Sequence, residues 1–230
     1  MAGWMIDNAD PARLEIAKRA MALGITGKPD KAAHPLGEIT LANGAVVNAH
    51  VVHAVDPIIT DGQYVAMINR MNEPGKGQPC LPGGFLDPKP EGGVETPVHA
   101  ALREAEEEIG FKGKEGKVIG TRNMNRPFDV RVAQRDMPAY GIKEGDIFMV
   151  STQAVRCDVP DLKTTKLVAG DDAVPGSARR VRIDSLTRES VGIADHFDMI
   201  KQALPEHFTQ RADGKAWTNS LGNQNNKQVG

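Results

Sequence analysis

Residues 81–111 read LPGGFLDPKPEGGVETPVHAALREAEEEIGF, and this stretch decides how the chain is read. Glu104, Glu107 and Glu108 stand at i, i+3 and i+4, which sets three carboxylates along one side of a helix. At about 100° per residue, Val98, Ala101, Leu102, Ala105 and Ile109 form a separate apolar stripe roughly opposite Glu107. The segment therefore predicts a helix packed on a core that presents its acids outward, just after a glycine-rich turn. Thr96-Pro97 suits its start and Gly110 its end as a C′ residue. A run of glutamates is most often only a solvated helix face. Like charges at i,i+4 repel, however, and a hard divalent cation such as Mg2+ converts that liability into a site.

The flanks favour the site. Glu95 lies eight residues before Arg103, and Gly83-Gly84 follow a short apolar strand ending at Leu81. Together these residues resemble the Nudix box, Gly-x5-Glu-x7-Arg-Glu-U-x-Glu-Glu-x-Gly-U with U apolar. Glu95, Arg103, Glu104, Ala105, Glu107, Glu108, Gly110 and Phe111 match it. The departure is the spacing: ten residues separate Gly84 from Glu95, and Lys89 occupies the formal glycine position. We read Asp87–Gly92 as a loop insertion, which turns tolerate well.

The resemblance implies an α/β fold, a Nudix-type α/β/α sandwich with a central mixed sheet, over roughly residues 40–205. It also implies hydrolysis of a nucleoside diphosphate linked to another moiety, by water attack on phosphorus. Glu104 and Glu108 are then the expected ligands of Mg2+ or Mn2+, with Glu107 a further ligand and the Gly83 carbonyl a backbone donor. Arg103 and Glu95 are expected to act as a structural pair that orients the helix. The general base is not fixed by the box. Among the later acids Glu144, Asp146, Asp171 and Asp172, the turn-like sequence around Glu144 makes it the first choice.

Leu81-Pro-Gly-Gly-Phe85 and Ala169-Gly-Asp-Asp-Ala173 look like the corresponding stretches of ADP-ribose pyrophosphatases, which implies ADP-ribose as substrate. Arg122, Arg126, Arg131 and Arg135 lie between the box and the next long strand, with Phe128 and Tyr140. Arginine forks bind phosphate and aromatic rings stack on a base, so Arg126, Phe128 and Phe85 are the expected substrate contacts. The alternatives are another Nudix substrate (a nucleoside triphosphate, a diadenosine polyphosphate, NADH or capped RNA) or a noncatalytic ligand-sensing regulator. The latter is disfavoured by the intact glutamates and by a polar C-terminus with no basic helix-turn-helix.

Composition excludes other classes. The 230 residues are 25% charged with a net charge of −2, which leaves no footprint for general nucleic-acid binding. No apolar run approaches the length of a membrane span, and the start lacks the form of a signal peptide. Cys80 and Cys157 make no CxxC pair, which fits free thiols in a cytoplasmic protein. The six histidines are scattered without zinc spacing.

The remaining elements follow from local signals. A helix is predicted from Pro11 to Leu23, with Asp10 as cap and Gly24 as stop, followed by a loop over 25–36. Glu38–Leu41 and Ala45–Val55 flank Asn43-Gly44, a hairpin signal. Strands are expected at Tyr64–Ile68, Lys117–Thr121, Ile147–Val155 and Arg180–Ile183, with extended pieces at 126–133 and 163–168. A last helix covers Ala194–Leu204. The expected organisation is an N-terminal helical extension over 1–36, assigned to packing or to a homodimer contact, a Nudix domain over 37–205 and a polar tail over 206–230.

Overall fold

The structure, a computed structural model, describes residues 9–25, 29–72, 75–121, 130–170, 172–210 and 217–218. In chain order the elements are α1 (Ala12–Ala22), β1 (Ala33–Thr40), β2 (Val46–Thr60), β3 (Tyr64–Asn69), β4 (Pro79–Cys80), β5 (Gly84–Phe85) and α2 (Pro97–Ile109). They continue with β6 (Lys117–Thr121), β7 (Val130–Val132), β8 (Ile147–Asp158), β9 (Arg179–Arg182), α3 (Ala194–Ala203), β10 (Thr209–Gln210) and β11 (Trp217–Thr218). The fold is α/β, a mixed sheet with helices. The chain divides into two compact units, and β2, α2 and β8 each run from one into the other.

The first unit comprises the described residues of Met1–Asp56, Gly83–Ala101 and Gly120–Ala154. Its α1 begins where the Asp10 carboxylate accepts from the Ala12 amide (2.9 Å) and ends at Gly24, whose positive φ lets the chain turn away. Arg19 ties the helix to β1 by donating to the Leu36 and Glu38 carbonyls at 3.1 and 2.7 Å. The inner face of α1 (Ala12, Ile16, Ala17, Ala20) packs into one core with Leu36, Ile39, Val51, Val130 and Ile147. A second cluster joins Val52, Ala54, Ile142, Phe148 and Val150.

The β1–β2 hairpin turns at Asn43-Gly44 as expected, with the Ala45 amide donating to the Asn43 side chain. The predicted loop over 25–36 is shorter than expected, because β1 already pairs with β2 from Ala33, opposite Val52. Pro35 falls in the expected loop, but it and Gly37 flank a register shift, where a ladder tolerates both.

The second unit comprises the described residues of Pro57–Pro82, Leu102–Ile119 and Val155–Gly230. Here β3 is flanked by β4 and by β9, which runs antiparallel to it from Tyr64↔Arg182 to Met67↔Arg179. The extended piece expected at 163–168 is not a strand. Asp161 organises a turn there, accepting from the Lys163 amide with its side chain and from the Thr164 and Thr165 hydroxyls with its carbonyl. A strand would need a ladder partner, and these local hydrogen bonds supply the alternative.

The start of the polar tail is tied down. His207 is buried in a short 3-10 turn, and Arg156, which donates to the Ala203 carbonyl at the end of α3, stands 3.9 Å from the Glu206 carboxylate. No helix among the described residues is long and apolar enough to cross a membrane.

Candidate active site

The glycine turn and the base of the insertion belong to the first unit. β5 pairs with β2 through Ala54↔Phe85 and Val55↔Gly84. A Cβ on Gly83 would overlap both the Asp56 carboxylate and the Val55 carbonyl, so only glycine fits this close approach. The insertion is a small hairpin rather than an open loop. Asp87 and Glu95 close its base by exchanging hydrogen bonds: the Asp87 amide donates to Glu95 Oε1 (2.8 Å) and the Glu95 amide to the Asp87 carbonyl (3.0 Å). Above them Pro88 bridges Val94, and Gly92 and Gly93 take the positive φ of the turn. Closure at Asp87 and Glu95 lets the longer spacing rejoin the box without moving the helix start.

That start is capped locally. Thr96 accepts from the His99 amide through its hydroxyl (3.3 Å) and from the Ala100 amide through its carbonyl (3.0 Å). Phe85 is half-buried in an edge-to-face aromatic group with Tyr140 and Phe148, with ring centroids 5.8 and 6.1 Å away.

The remainder of α2 lies in the second unit, and there the structure corrects the expectation that all its acids face outward. Glu104 and Glu108 are 8% and 6% exposed, whereas the Glu107 side chain is 57% exposed. Helical geometry is the reason. At about 100° per residue, Ala100, Ala101, Glu104, Ala105, Glu108 and Ile109 fall in one sector, and all six are buried. The stripe opposite Glu107 already set that acid apart, but spacing alone could not say that Glu104 and Glu108, at the stripe's edge, would be covered. Arg103 Nη1 donates to Glu104 Oε1 (2.7 Å) and to Glu107 Oε2 (3.0 Å), so one guanidinium holds an inner and an outer acid.

Gly110 ends the helix in the left-handed conformation, with its amide donating to the Glu106 carbonyl (3.0 Å). This αL stop was expected from the sequence. The loop after 166 was expected to contribute only through the stretch 169–173 and its aspartates, not by bonding the end of the helix. Val168 and Gly170 donate their amides to the Ile109 and Glu108 carbonyls, both at 2.9 Å. The stretch 169–173 was singled out in the sequence, but neither it nor the glycine at 170 says which backbone it would meet.

Of the later acids, Asp146 is buried and committed. Burial pushes its carboxyl up, but the Lys143 amide, the Asn48 side chain and His50 outweigh that and hold it below the ordinary range. Glu144 is exposed, its amide donating to the Asp136 carboxylate (2.9 Å). Asp172 is exposed as well. Arg126, Phe128, Arg122 and Asp171 lie outside the described residues.

Among the described residues no group of three or more His, Cys, Asp or Glu side chains is drawn together as a metal cluster. Glu104 and Glu108 nonetheless offer the right chemistry. Two carboxylates one helical turn apart and out of water are a hard oxygen donor set, and such a pair suits a divalent cation.

No curated protein sequence matches the chain. Solved structures resemble it at low identity. The NUDIX domain of Shewanella oneidensis NrtR, complexed with ADP ribose, is 19% identical with a TM-score of 0.46, over 66% of this chain and 86% of that one. A bifunctional NMN adenylyltransferase/ADP ribose pyrophosphatase from Francisella tularensis, with AMP and a Mn ion, is 18% identical with a TM-score of 0.46. The alignment covers 85% of this chain and 46% of that one, so the chain spans less than half of the bifunctional protein. A MutT NUDIX hydrolase from Burkholderia pseudomallei is 16% identical with a TM-score of 0.44, over 65% of this chain and 95% of that one. The NUDIX domain family model matches residues 51–166, half of the chain, and takes in the glycine turn, the insertion and the whole acidic helix. With the box on α2 and this match around it, the chain belongs to the NUDIX domain family.

Proposed function

We propose that this protein hydrolyses the pyrophosphate linkage of a nucleoside diphosphate derivative, with ADP-ribose the substrate its residues favour. The observation that carries the reading is the burial of Glu104 and Glu108 one turn apart on α2. Two like charges buried one turn apart are costly even with the Arg103 guanidinium on Glu104; a cation bound there would turn the pair into a functional site.

Glu104 and Glu108 would hold Mg2+ or Mn2+, with Glu107 and the Gly83 carbonyl as further donors. Bound metal neutralises pyrophosphate charge and acidifies a water. The protein's own part is positional. Arg103, gripping Glu104 and Glu107 together, fixes the acids relative to one another. Glu95, closing the insertion with Asp87, sets where the helix begins. Glu144, exposed on the turn before β8, is the acid we assign to take a proton from the attacking water. Phe85, in its aromatic group with Tyr140, offers a face for a base, and Arg126 and Phe128 complete the proposed substrate contacts. Water attack on either phosphorus of ADP-ribose yields AMP and ribose 5-phosphate.

The test is to incubate the purified protein with Mg2+ and ADP-ribose, nucleoside triphosphates, diadenosine polyphosphates, NADH and capped RNA, and to resolve the products. AMP and ribose 5-phosphate are expected from ADP-ribose. Cleavage of another member of the panel with ADP-ribose left intact would refute the substrate; no Mg2+-dependent hydrolysis at all would refute the metal reading.

A further inference from the structure

The last turn of α2 carries Glu107 and Glu108, and its carbonyls are accounted for by a segment far along the chain. An α-helix leaves its final carbonyls without intrahelical donors. Here the Ala105 and Glu106 carbonyls accept from Phe111 and Gly110, both at 3.0 Å, which is a local stop. The Glu108 and Ile109 carbonyls accept instead from Gly170 and Val168. Between them stands the Glu107 carbonyl. A Cβ added to Gly170 would penetrate it and also crowd the Glu108 Cα, so the hydrogen in that direction points at the carbonyl oxygen.

The other end of the segment is anchored too. Ala173 bridges Arg70, the Met71 amide donates to the Asp172 carbonyl (3.2 Å), and the Val174 amide donates to the Asn69 carbonyl (2.9 Å). A strap tied to the end of β3 thus grips the backbone of two box glutamates. Nothing in the box spacing requires it.

We propose that residues 168–170 are a positioning strap for the acidic turn of α2, with Gly170 the residue that allows it. A side chain at 170 would have to push the strap off the helix end. That would free the Glu108 and Ile109 carbonyls and release the turn that aims Glu108. Because a carboxylate swings on a long lever, a backbone shift of about an ångström at its root is enough to spoil a constellation that tolerates about half that. The inference rests on the metal-dependent reading of α2.

The experiment compares wild type, Gly170→Ala and Leu162→Ala. Leu162 is a fully buried residue of the same unit whose amide donates to Asp61 and whose carbonyl accepts from Arg180, so its truncation should lower stability while leaving the strap's two amide bonds in place. Gly170→Ala should lower kcat at least tenfold and raise the half-saturating Mg2+ concentration several-fold, with substrate KM within twofold. Leu162→Ala should lower the melting temperature while leaving the Mg2+ requirement unchanged. Amide hydrogen exchange on the wild type is read alongside, so that a Gly170→Ala variant that fails to fold still leaves a decision: Mg2+ should slow exchange at Val168 and Gly170 together with the last turn of α2. Unchanged Mg2+ dependence in a folded Gly170→Ala, the same Mg2+ shift in both variants, or strap amides indifferent to Mg2+ would each overturn the positioning role. An inactive wild type overturns the metal-hydrolase reading and this inference with it, whereas an active wild type beside an unaffected Gly170→Ala overturns the strap alone.

Discussion

Glu104 and Glu108 on α2, and His34 and His53 on β1 and β2, are both pairs of ionisable side chains withdrawn from water. The histidines sit edge to face, with ring centroids 5.1 Å apart, and each has a buried Nε2 without a hydrogen bond. Asp30 stands 3.2 Å from His34 Nε2 but in a poor direction for hydrogen bonding. Burial lowers both imidazoles, and for His53 the neighbouring His34 lowers it further, to about 4. The pair therefore escapes its electrostatic problem by staying neutral. The glutamates have a different exit: their repulsion is relieved by the Arg103 guanidinium on Glu104 and, on the proposed reading, by a bound cation. The same burial thus builds a structural element in one unit and a candidate reactive one in the other.

The largest effect expected from this contrast is on turnover. Glu108→Gln keeps the shape and removes a ligand charge, so Mg2+-dependent hydrolysis should fall about a thousandfold, or about 4 kcal/mol. Its melting temperature without metal should hold or rise, because one of two buried like charges is gone. Full Mg2+-dependent activity in that variant, measured against the wild type, would end the assignment.

The histidine pair should show itself in stability. His53 binds its proton at about 4 in the folded state and near 6.5 when unfolded. Between those values the unfolded chain holds more protons, so stability is complete above pH 6.5 and is lost as pH falls toward 4. The loss is up to about 3 kcal/mol. Denaturant midpoints at pH 7 and pH 5 measure it, and His53→Leu should flatten the slope. Equal slopes in the two proteins would show that His53 does not titrate in the folded state as the geometry requires.

The smallest effect belongs to the guanidinium that joins Glu104 to Glu107. Arg103→Ala leaves buried Glu104 without that donor, which should cost about 1–3 kcal/mol of stability, and it should lower activity as the acids lose their common tether. The exposed Arg103–Glu107 contact contributes only a few tenths of that. Unchanged melting and unchanged turnover would make the guanidinium a bystander.

Much of this was legible beforehand, and the misses are instructive. The start of α2 at Thr96-Pro97, its stop at Gly110, the Asn43-Gly44 hairpin and the helix before Gly24 follow from capping and turn chemistry that acts within a few residues. The strand at Ala33 was hidden because Pro35 and Gly37 signal a loop locally, and only the partner strand reveals a bulge. The piece at 163–168 went the other way: a threonine-bearing stretch read as extended became a turn because Asp161 captured its amide and hydroxyls.

The sequence by itself determined the acidic helix, its bounds, the glycine turn before it and the family to which both belong, since these rest on periodicity and near-neighbour hydrogen bonds. Only the tertiary structure decided that Glu104 and Glu108 are buried, that Asp87 and Glu95 close the insertion, and that Gly170 grips the end of α2. Those outcomes depend on which surfaces meet across long stretches of chain. Spacing along one helix fixes angles between side chains, but burial is set by what packs against them.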